Sequence, residues 1–173
     1  ELPEEVSSTS VEKEMMRHND LVAAKKYIEI QYSEATQAHL RRYCIGNDFD
    51  LSVRFNRRQQ PVQAFDFHST VWFTSNAVIM PLGTKRILID DIRPKGFALF
   101  GEKEDTLVLE IESEQLNTIR QTFGKLYGLE DEWPDYRPHI SLSYAYQGQS
   151  LPEVGLPDLP LIADQLHVKN QKR

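Results

Sequence analysis

The chain has 173 residues, of which 40% are hydrophobic and 27% charged, a composition typical of a single soluble globular domain. Its net charge of −6 argues against broad binding to long nucleic acids, which depends on basic surface. No apolar run approaches the roughly 20 residues that span a bilayer, and the lone Cys44 excludes an internal disulfide or a cysteine zinc cluster. Residues 1–20 predict a tail or linker, which leaves residues 21–173 as one domain.

The first half of the domain predicts a strand, a helix and a loop. A weak helical pattern over residues 11–26 precedes an alternating run at residues 27–32, which predicts the first core strand. Ser33 is suited to cap a helix over residues 34–43. Residues 49–65 carry three arginines and predict a mobile basic loop or, alternatively, a flap that contacts phosphate.

The second half of the domain is mostly strands. Ser113 and Gly128 bracket a predicted helix over residues 114–127, because apolar residues recur there along one stripe between two capping residues. A loop with three prolines is predicted at residues 149–160. Strands are predicted at residues 65–74, 85–92, 96–100, 107–111, 138–146 and 161–168. Strands that outnumber helices in this irregular order are typical of an α+β fold with mainly antiparallel sheet.

Two short segments, 71 positions apart, resemble one another. His68 precedes Thr70 by two residues, and His139 precedes Ser141 in the same way. Side chains alternate along a strand, so each histidine shares a face with its hydroxyl residue, while Ser69 should point to the opposite face. A single pair of this kind often arises by chance, and its histidine is then either hydrogen-bonded within the protein or exposed to solvent. Two pairs on facing strands predict two proton-transfer groups and two hydroxyl donors around one pocket, enough to act on a phosphodiester without a metal.

Residues near the motifs are secondary candidates. Asp66 lies two residues before His68 and could share its face of the strand, where it would either orient the His68 ring or remain a solvated carboxylate. Alternation along the strands places Ser143 and Trp72 on the same face as the motif residues. Ser143 should therefore reach the pocket, and Trp72 should either stack on a base or pack in the core. Arg137 could contact a phosphate or form a surface salt bridge.

No cofactor or metal ion is predicted. The sequence has no glycine-rich phosphate cradle and no His-Glu-x-x-His pattern. Neither motif histidine has a carboxylate at zinc-ligand spacing. The remaining histidines lack the motif pattern and are assigned no role; they are His18, His39 and His167.

The two motifs, with the strand and helix between them, resemble those of the 2H phosphoesterase superfamily. Its members carry two His-x-Ser/Thr motifs on two pseudo-symmetric lobes of antiparallel sheet that face one another across a cleft. Residues 106–113 and 133–144 are similar to the phage anti-CBASS nuclease family, whose members degrade the cyclic di- and trinucleotide messengers of bacterial antiphage defence. The likeness covers residues 23–146, and Ser141 stands where threonine is usual, which keeps the hydroxyl.

This resemblance implies a fold, an activity and further site residues. The expected fold is two pseudo-symmetric lobes of antiparallel sheet with flanking helices and a central cleft. The expected activity is metal-independent hydrolysis of cyclic di- and trinucleotides by a phage or prophage protein, in the cytoplasm of an infected bacterium. The resemblance also implies that Tyr27 and Phe97 contact a base of the substrate. Residues 165–173 contain no clear match to the acidic and tryptophan residues that close over a base in the family.

Two other functions fit the same motifs. The first is an RNA 2′,3′-cyclic phosphodiesterase or RNA-end processing enzyme, and the second is a non-catalytic module that binds the same messenger. The acidic charge favours the small cyclic ligand over long RNA. The sequence leaves open whether water or a ribose 2′-hydroxyl is the nucleophile, and which histidine is the acid and which the base.

Overall fold

The computed structural model describes residues 22–147 and 150–172, and within them the chain is an α+β domain, as predicted. The predicted tail lies outside the described residues, as does most of the predicted helix over residues 11–26. The last three residues of that predicted helix are strand instead. The elements are β1 (Ala24–Tyr32), α1 (Glu34–Gly46), β2 (His68–Val78), β3 (Gly83–Phe100), β4 (Thr106–Glu112), α2 (Glu114–Tyr127), β5 (His139–Ser143) and β6 (Leu161–Asn170).

The described strands form one antiparallel sheet in the order β2-β1-β6-β3-β4-β5. Strand β3 belongs to both halves, because its first part pairs with β6 and its last part pairs with β4. The sequence predicted two strands here, at residues 85–92 and 96–100, but the chain stays extended through the register shift at Pro94. Strands β2, β1 and β6 thus form one lobe, and β4 and β5 form the other.

The two ends of the sheet meet. Strands β2 and β5 are the outermost strands, yet they lie against one another. The Ser69 hydroxyl donates to the backbone carbonyl of His139 at 2.6 Å. The phenol of Tyr136 donates to the Thr70 carbonyl at 2.7 Å. Because each of these edge strands carries one motif, the closure of the sheet brings the two motifs side by side.

Both helices begin and end where capping chemistry allows. The Ser33 hydroxyl accepts from the backbone N–H of Thr36 at the start of α1, and Ser113 does the same for Leu116 in α2. Gly128 ends α2 with a φ of 65°, a left-handed conformation that glycine adopts without strain. The bounds of α2 match the prediction, whereas α1 continues to Gly46, three residues beyond its predicted end.

Most of the core lies on one face of the sheet, and on β1 the other face carries polar side chains. Alternate residues of the inner strands are fully buried, among them Ile28 and Ile30 of β1 and Leu107 and Leu109 of β4. On β1 the residues Tyr27, Glu29 and Gln31 alternate with these two buried isoleucines. In the residues that the structure describes, no helix is long and apolar enough to cross a membrane.

Close packing between β2 and α2 yields a stability prediction. A Cβ at Gly124 would lie 2.7 Å from Cζ2 of Trp72, inside van der Waals contact. We predict that Gly124→Ala lowers the free energy of unfolding by ~1–3 kcal/mol through overpacking, although alanine is the better helix former. Gly46→Ala is the matched control, since no atom lies within 4 Å of its Cβ position. Urea denaturation that found Gly124→Ala as stable as Gly46→Ala would contradict this packing.

Candidate active site

The structure gives both motif histidines the same ring orientation. Nδ1 of His68 lies 3.1 Å from the carbonyl oxygen of Asp66, and Nδ1 of His139 lies 2.8 Å from that of Arg137. A carbonyl oxygen only accepts, so Nδ1 carries the hydrogen in each ring. Nε2 therefore remains available for proton transfer at both histidines. The Asp66 carboxylate lies 3.7 Å from Nδ1 of His68, beside the carbonyl that orients the ring.

The two histidines are close in space, and the surroundings of His139 affect its protonation. His139 is close enough to His68 for a charge on one ring to disfavour a charge on the other. Burial lowers the pKa of His139 below its ordinary value of 6.5, and the proximity of His68 lowers it further. The carbonyl of Arg137 and the carboxylate of Glu110 act in the opposite direction. His139 is therefore predominantly neutral at pH 7.

Each motif hydroxyl contacts a tyrosine phenol. Oγ1 of Thr70 lies 3.1 Å from the hydroxyl of Tyr27, and the Ser141 hydroxyl is within hydrogen-bonding reach of Tyr144. Burial raises the pKa of both phenols, so Tyr27 and Tyr144 remain protonated at neutral pH. Two neutral phenols thus fix the positions of the two motif hydroxyls.

Both motif strands slip by one residue directly after the hydroxyl. The pairing of β2 with β1 shifts between Thr70 and Trp72, and the pairing of β5 with β4 shifts between Ser141 and Ser143. A slip of one residue moves the following side chains to the opposite face of the sheet. The prediction that Trp72 and Ser143 share a face with the motif hydroxyls is therefore wrong, because face parity counted along the sequence does not include a bulge.

Trp72 and Ser143 instead make structural contacts. The indole N–H of Trp72 donates to the carbonyl of Arg120 at 2.9 Å, and the guanidinium of Arg120 lies 3.8 Å from the ring centroid. Ser143 is fully buried and donates to the carbonyl of Asp50 at 2.8 Å. Neither side chain is free to contact a substrate.

A pair of aromatic rings that sequence reasoning missed extends the motif face. After the slip, Phe73 turns to the face of Tyr27, with their ring centroids 6.1 Å apart. Trp133 lies against Phe73 at 5.1 Å with an interplanar angle of 33°, and 62% of its surface is exposed. The backbone of Glu132 donates to the Phe73 carbonyl at 2.8 Å, which fixes this segment to β2. The sequence showed an aromatic at each position but gave no sign of its orientation.

The second lobe also places a different aromatic beside its histidine. Phe97 pairs with Leu109 on the core face and contacts the ring of Phe49 at 6.2 Å. It faces away from His139, and a contact between Phe97 and a base stays a prediction. Phe100 lies on the motif face instead, 4.6 Å from the ring of His139.

Arg137 and the basic loop lie on the side of the second motif. Nε of Arg137 bonds Glu110 at 2.9 Å, which raises the pKa of the arginine, and its guanidinium lies 4.7 Å from the centroid of Phe100. A phosphate contact by Arg137 stays a prediction. In the predicted loop, Phe55 contacts the ring of Tyr144 at 5.6 Å, and Arg57 pairs with Asp105 at 3.0 Å.

A buried carboxylate, also missed from the sequence, lies at the centre of the motif face. Glu29 is 4% exposed and is the cross-strand neighbour of Thr70. It accepts from Nε2 of Gln31, and Nζ of Lys169 lies 3.6 Å away. Alternation along β1 does place Tyr27, Glu29 and Gln31 on one face, but it does not reveal that the carboxylate is enclosed.

A groove of about 390 Å³ adjoins the first motif. Its walls include Gln31, Arg41, Asp66 and Gln165, but neither motif histidine. Across residues 22–147 and 150–172, no three His, Cys, Asp or Glu side chains are grouped in a way that could hold a metal ion.

Two lobes of antiparallel sheet, each with a His-x-Ser/Thr motif on its edge strand, form the arrangement that the 2H phosphoesterase resemblance predicted. The chain belongs to the family of anti-CBASS protein Acb1, whose model matches residues 24–170. It is thus a phosphodiesterase that counters CBASS antiphage defence, as the resemblance of residues 106–113 and 133–144 implied. The crystal structure of E. coli LigT complexed with 3′-AMP is similar at a TM-score of 0.45 and 11% identity, over 87% of this chain and 97% of LigT.

The environment of His139 yields a pH prediction. We expect an NMR titration of its ring to give a pKa below 6.5, because burial disfavours the charged ring. The unfolded chain then binds this proton more readily, so His139 makes the folded protein less stable as the pH falls below 6.5. Glu110→Gln removes a carboxylate that favours the charged ring and should lower the pKa further. A midpoint of 6.5 or higher for the native protein would contradict the described burial.

Proposed function

We propose that this protein hydrolyses cyclic di- or trinucleotide messengers by a metal-independent reaction at its two motif histidines. The observation that carries the proposal is the paired geometry. On each of two adjoining edge strands, a backbone carbonyl holds Nδ1 of a histidine and leaves Nε2 free, with a hydroxyl two residues further on. Family membership supports a phage or prophage origin and action in the cytoplasm of an infected bacterium.

The roles of the two histidines follow from their surroundings. His139 is the general base, because burial keeps its ring neutral and its Nε2 can accept a proton from the nucleophile, either water or a ribose 2′-hydroxyl. His68 is the general acid, because its imidazolium form would be paired with the Asp66 carboxylate, and Nε2–H donates to the leaving 5′-oxygen. Each proton transfer contributes ~10²–10⁴-fold to the rate.

The hydroxyls of Thr70 and Ser141 stabilise the charge that develops on the non-bridging phosphate oxygens. Their tyrosine partners hold them in place before the substrate binds, which avoids reorganisation during the reaction. The net charge of −6 fits a small anionic ligand held in a local pocket better than a long nucleic acid. Phe73 and Trp133 supply the aromatic surface that a base of the substrate can stack on.

The direct test is turnover of a panel of cyclic di- and trinucleotides in excess EDTA, with products resolved by chromatography. We expect linear products from at least one cyclic substrate, with the rate unaffected by EDTA. A protein that cleaves no cyclic oligonucleotide but hydrolyses 2′,3′-cyclic phosphates at RNA ends would be an RNA-processing enzyme. Binding without turnover would indicate a module that sequesters the messenger.

The motif residues should separate into two classes of effect. His68→Ala and His139→Ala should abolish turnover with little change in melting temperature, because partly exposed polar residues contribute little to the core. Thr70→Ala and Ser141→Ala should each lower kcat by ~10²–10³-fold, the usual loss of one oxyanion donor. His39→Ala on α1 is the matched control and should retain full activity. Full activity in either motif-histidine variant would refute the assigned roles.

The exposed aromatic pair should govern affinity. In a His139→Ala background that prevents turnover, Trp133→Ala should weaken binding of the cyclic substrate by roughly ten- to a hundredfold, since stacking on one base is worth ~1–3 kcal/mol. Leu126→Ala is the matched control, because Leu126 is 67% exposed on α2. Calorimetric titration measures both. Equal affinities for the two variants would remove Trp133 from the site.

A further inference from the structure

Glu29 is a charged group in a place where folding alone does not call for one. Its side chain is 4% exposed at the centre of β1, between β2 and β6. Removing a carboxylate from water is costly unless partners compensate it. The compensating groups are Gln31 and, at 3.6 Å and 3.9 Å, Lys169 and His167. All of them belong to the polar face that carries the first motif.

The second lobe shows what the same position requires for packing. Strand β4 pairs with the motif strand β5 in the same way as β1 pairs with the motif strand β2. In both pairs the register slip follows the motif hydroxyl. Glu29 is the partner of Thr70, and the residue in the same position beside Ser141 is Val108. Val108 is fully buried. The architecture therefore accepts an apolar residue here, so the carboxylate of Glu29 serves something other than the fold.

The contacts of Glu29 lead to the first motif through Gln31. Nε2 of Gln31 donates both to Glu29 and, at 3.0 Å, to the Asp66 carboxylate, which lies beside His68. Because a carboxylate only accepts hydrogen bonds, Glu29 holds the Gln31 side chain with its N–H group toward both carboxylates.

We propose that Glu29 is a positioning residue for the first motif. It does not touch the substrate. It holds Gln31 so that the Asp66 carboxylate stays beside His68. This inference rests on the proposed phosphodiesterase function and deepens it, because it explains why the two lobes, alike in their motifs, differ at this one position.

The test compares Glu29→Gln, which keeps the shape, with Glu29→Val, which copies the second lobe. Both proteins should fold with melting temperatures close to that of the native protein. Both should lose about 10²-fold in kcat, the scale expected when a catalytic group is misplaced by about 1 Å, while KM changes less than threefold. Glu112→Gln is the control, a 52% exposed carboxylate on β4 outside the site, and should keep native kinetics.

A double-mutant cycle separates positioning from a general structural effect. If Glu29 acts through Gln31, the loss caused by Glu29→Gln should shrink at least fivefold in a Gln31→Ala background, because the side chain that Glu29 orients is already absent. Equal losses in both backgrounds would overturn the inference, as would native kcat in Glu29→Gln or unfolding of both Glu29 variants. A native protein that cleaves no phosphodiester would overturn the proposed function as well. An active native protein with an equally active Glu29→Gln variant overturns only the role of Glu29.

Discussion

The hydrogen bond from the Ser69 hydroxyl to the His139 carbonyl joins the two ends of the sheet, and the site depends on it. Because the His139 carbonyl can only accept, the single hydrogen of Ser69 goes to it, and the phenol of Tyr32 therefore donates to the Ser69 oxygen at 2.7 Å. Ser69 is buried, and a buried hydrogen bond of this kind costs ~1–3 kcal/mol to leave unmade. The residue between the first histidine and its hydroxyl thus holds the second histidine in place.

Repetition of one local geometry, in two different environments, suits similar motifs to the different roles that we propose for them. In both lobes a carbonyl two residues upstream orients the imidazole, a phenol holds the hydroxyl, and the strand then slips by one residue. The surroundings differ, since burial lowers the pKa of His139 whereas His68 has the Asp66 carboxylate at 3.7 Å. Two histidines whose environments differ in this way are suited to act as base and acid in one reaction.

Local signals in the sequence predicted the elements, and long-range pairing decided the rest. Ser113 and Gly128 marked the ends of α2 because their capping chemistry is local. The faces of Trp72 and Ser143 could not be read from alternation, because the register slip depends on the partner strand. Alternation did place Glu29 on the polar face, but its enclosure depends on β6, which lies more than a hundred residues further along the chain.

The central claim is that both histidines act on one phosphodiester. A crystal structure of the protein with a slowly cleaved phosphorothioate analogue of a cyclic dinucleotide tests it most directly. The account predicts Nε2 of His68 and Nε2 of His139 within about 3.2 Å of oxygens of the same phosphorothioate group, with the Thr70 and Ser141 hydroxyls on its non-bridging atoms. A ligand bound with its phosphorothioate against only one histidine, or in the groove beside Asp66 alone, would contradict it.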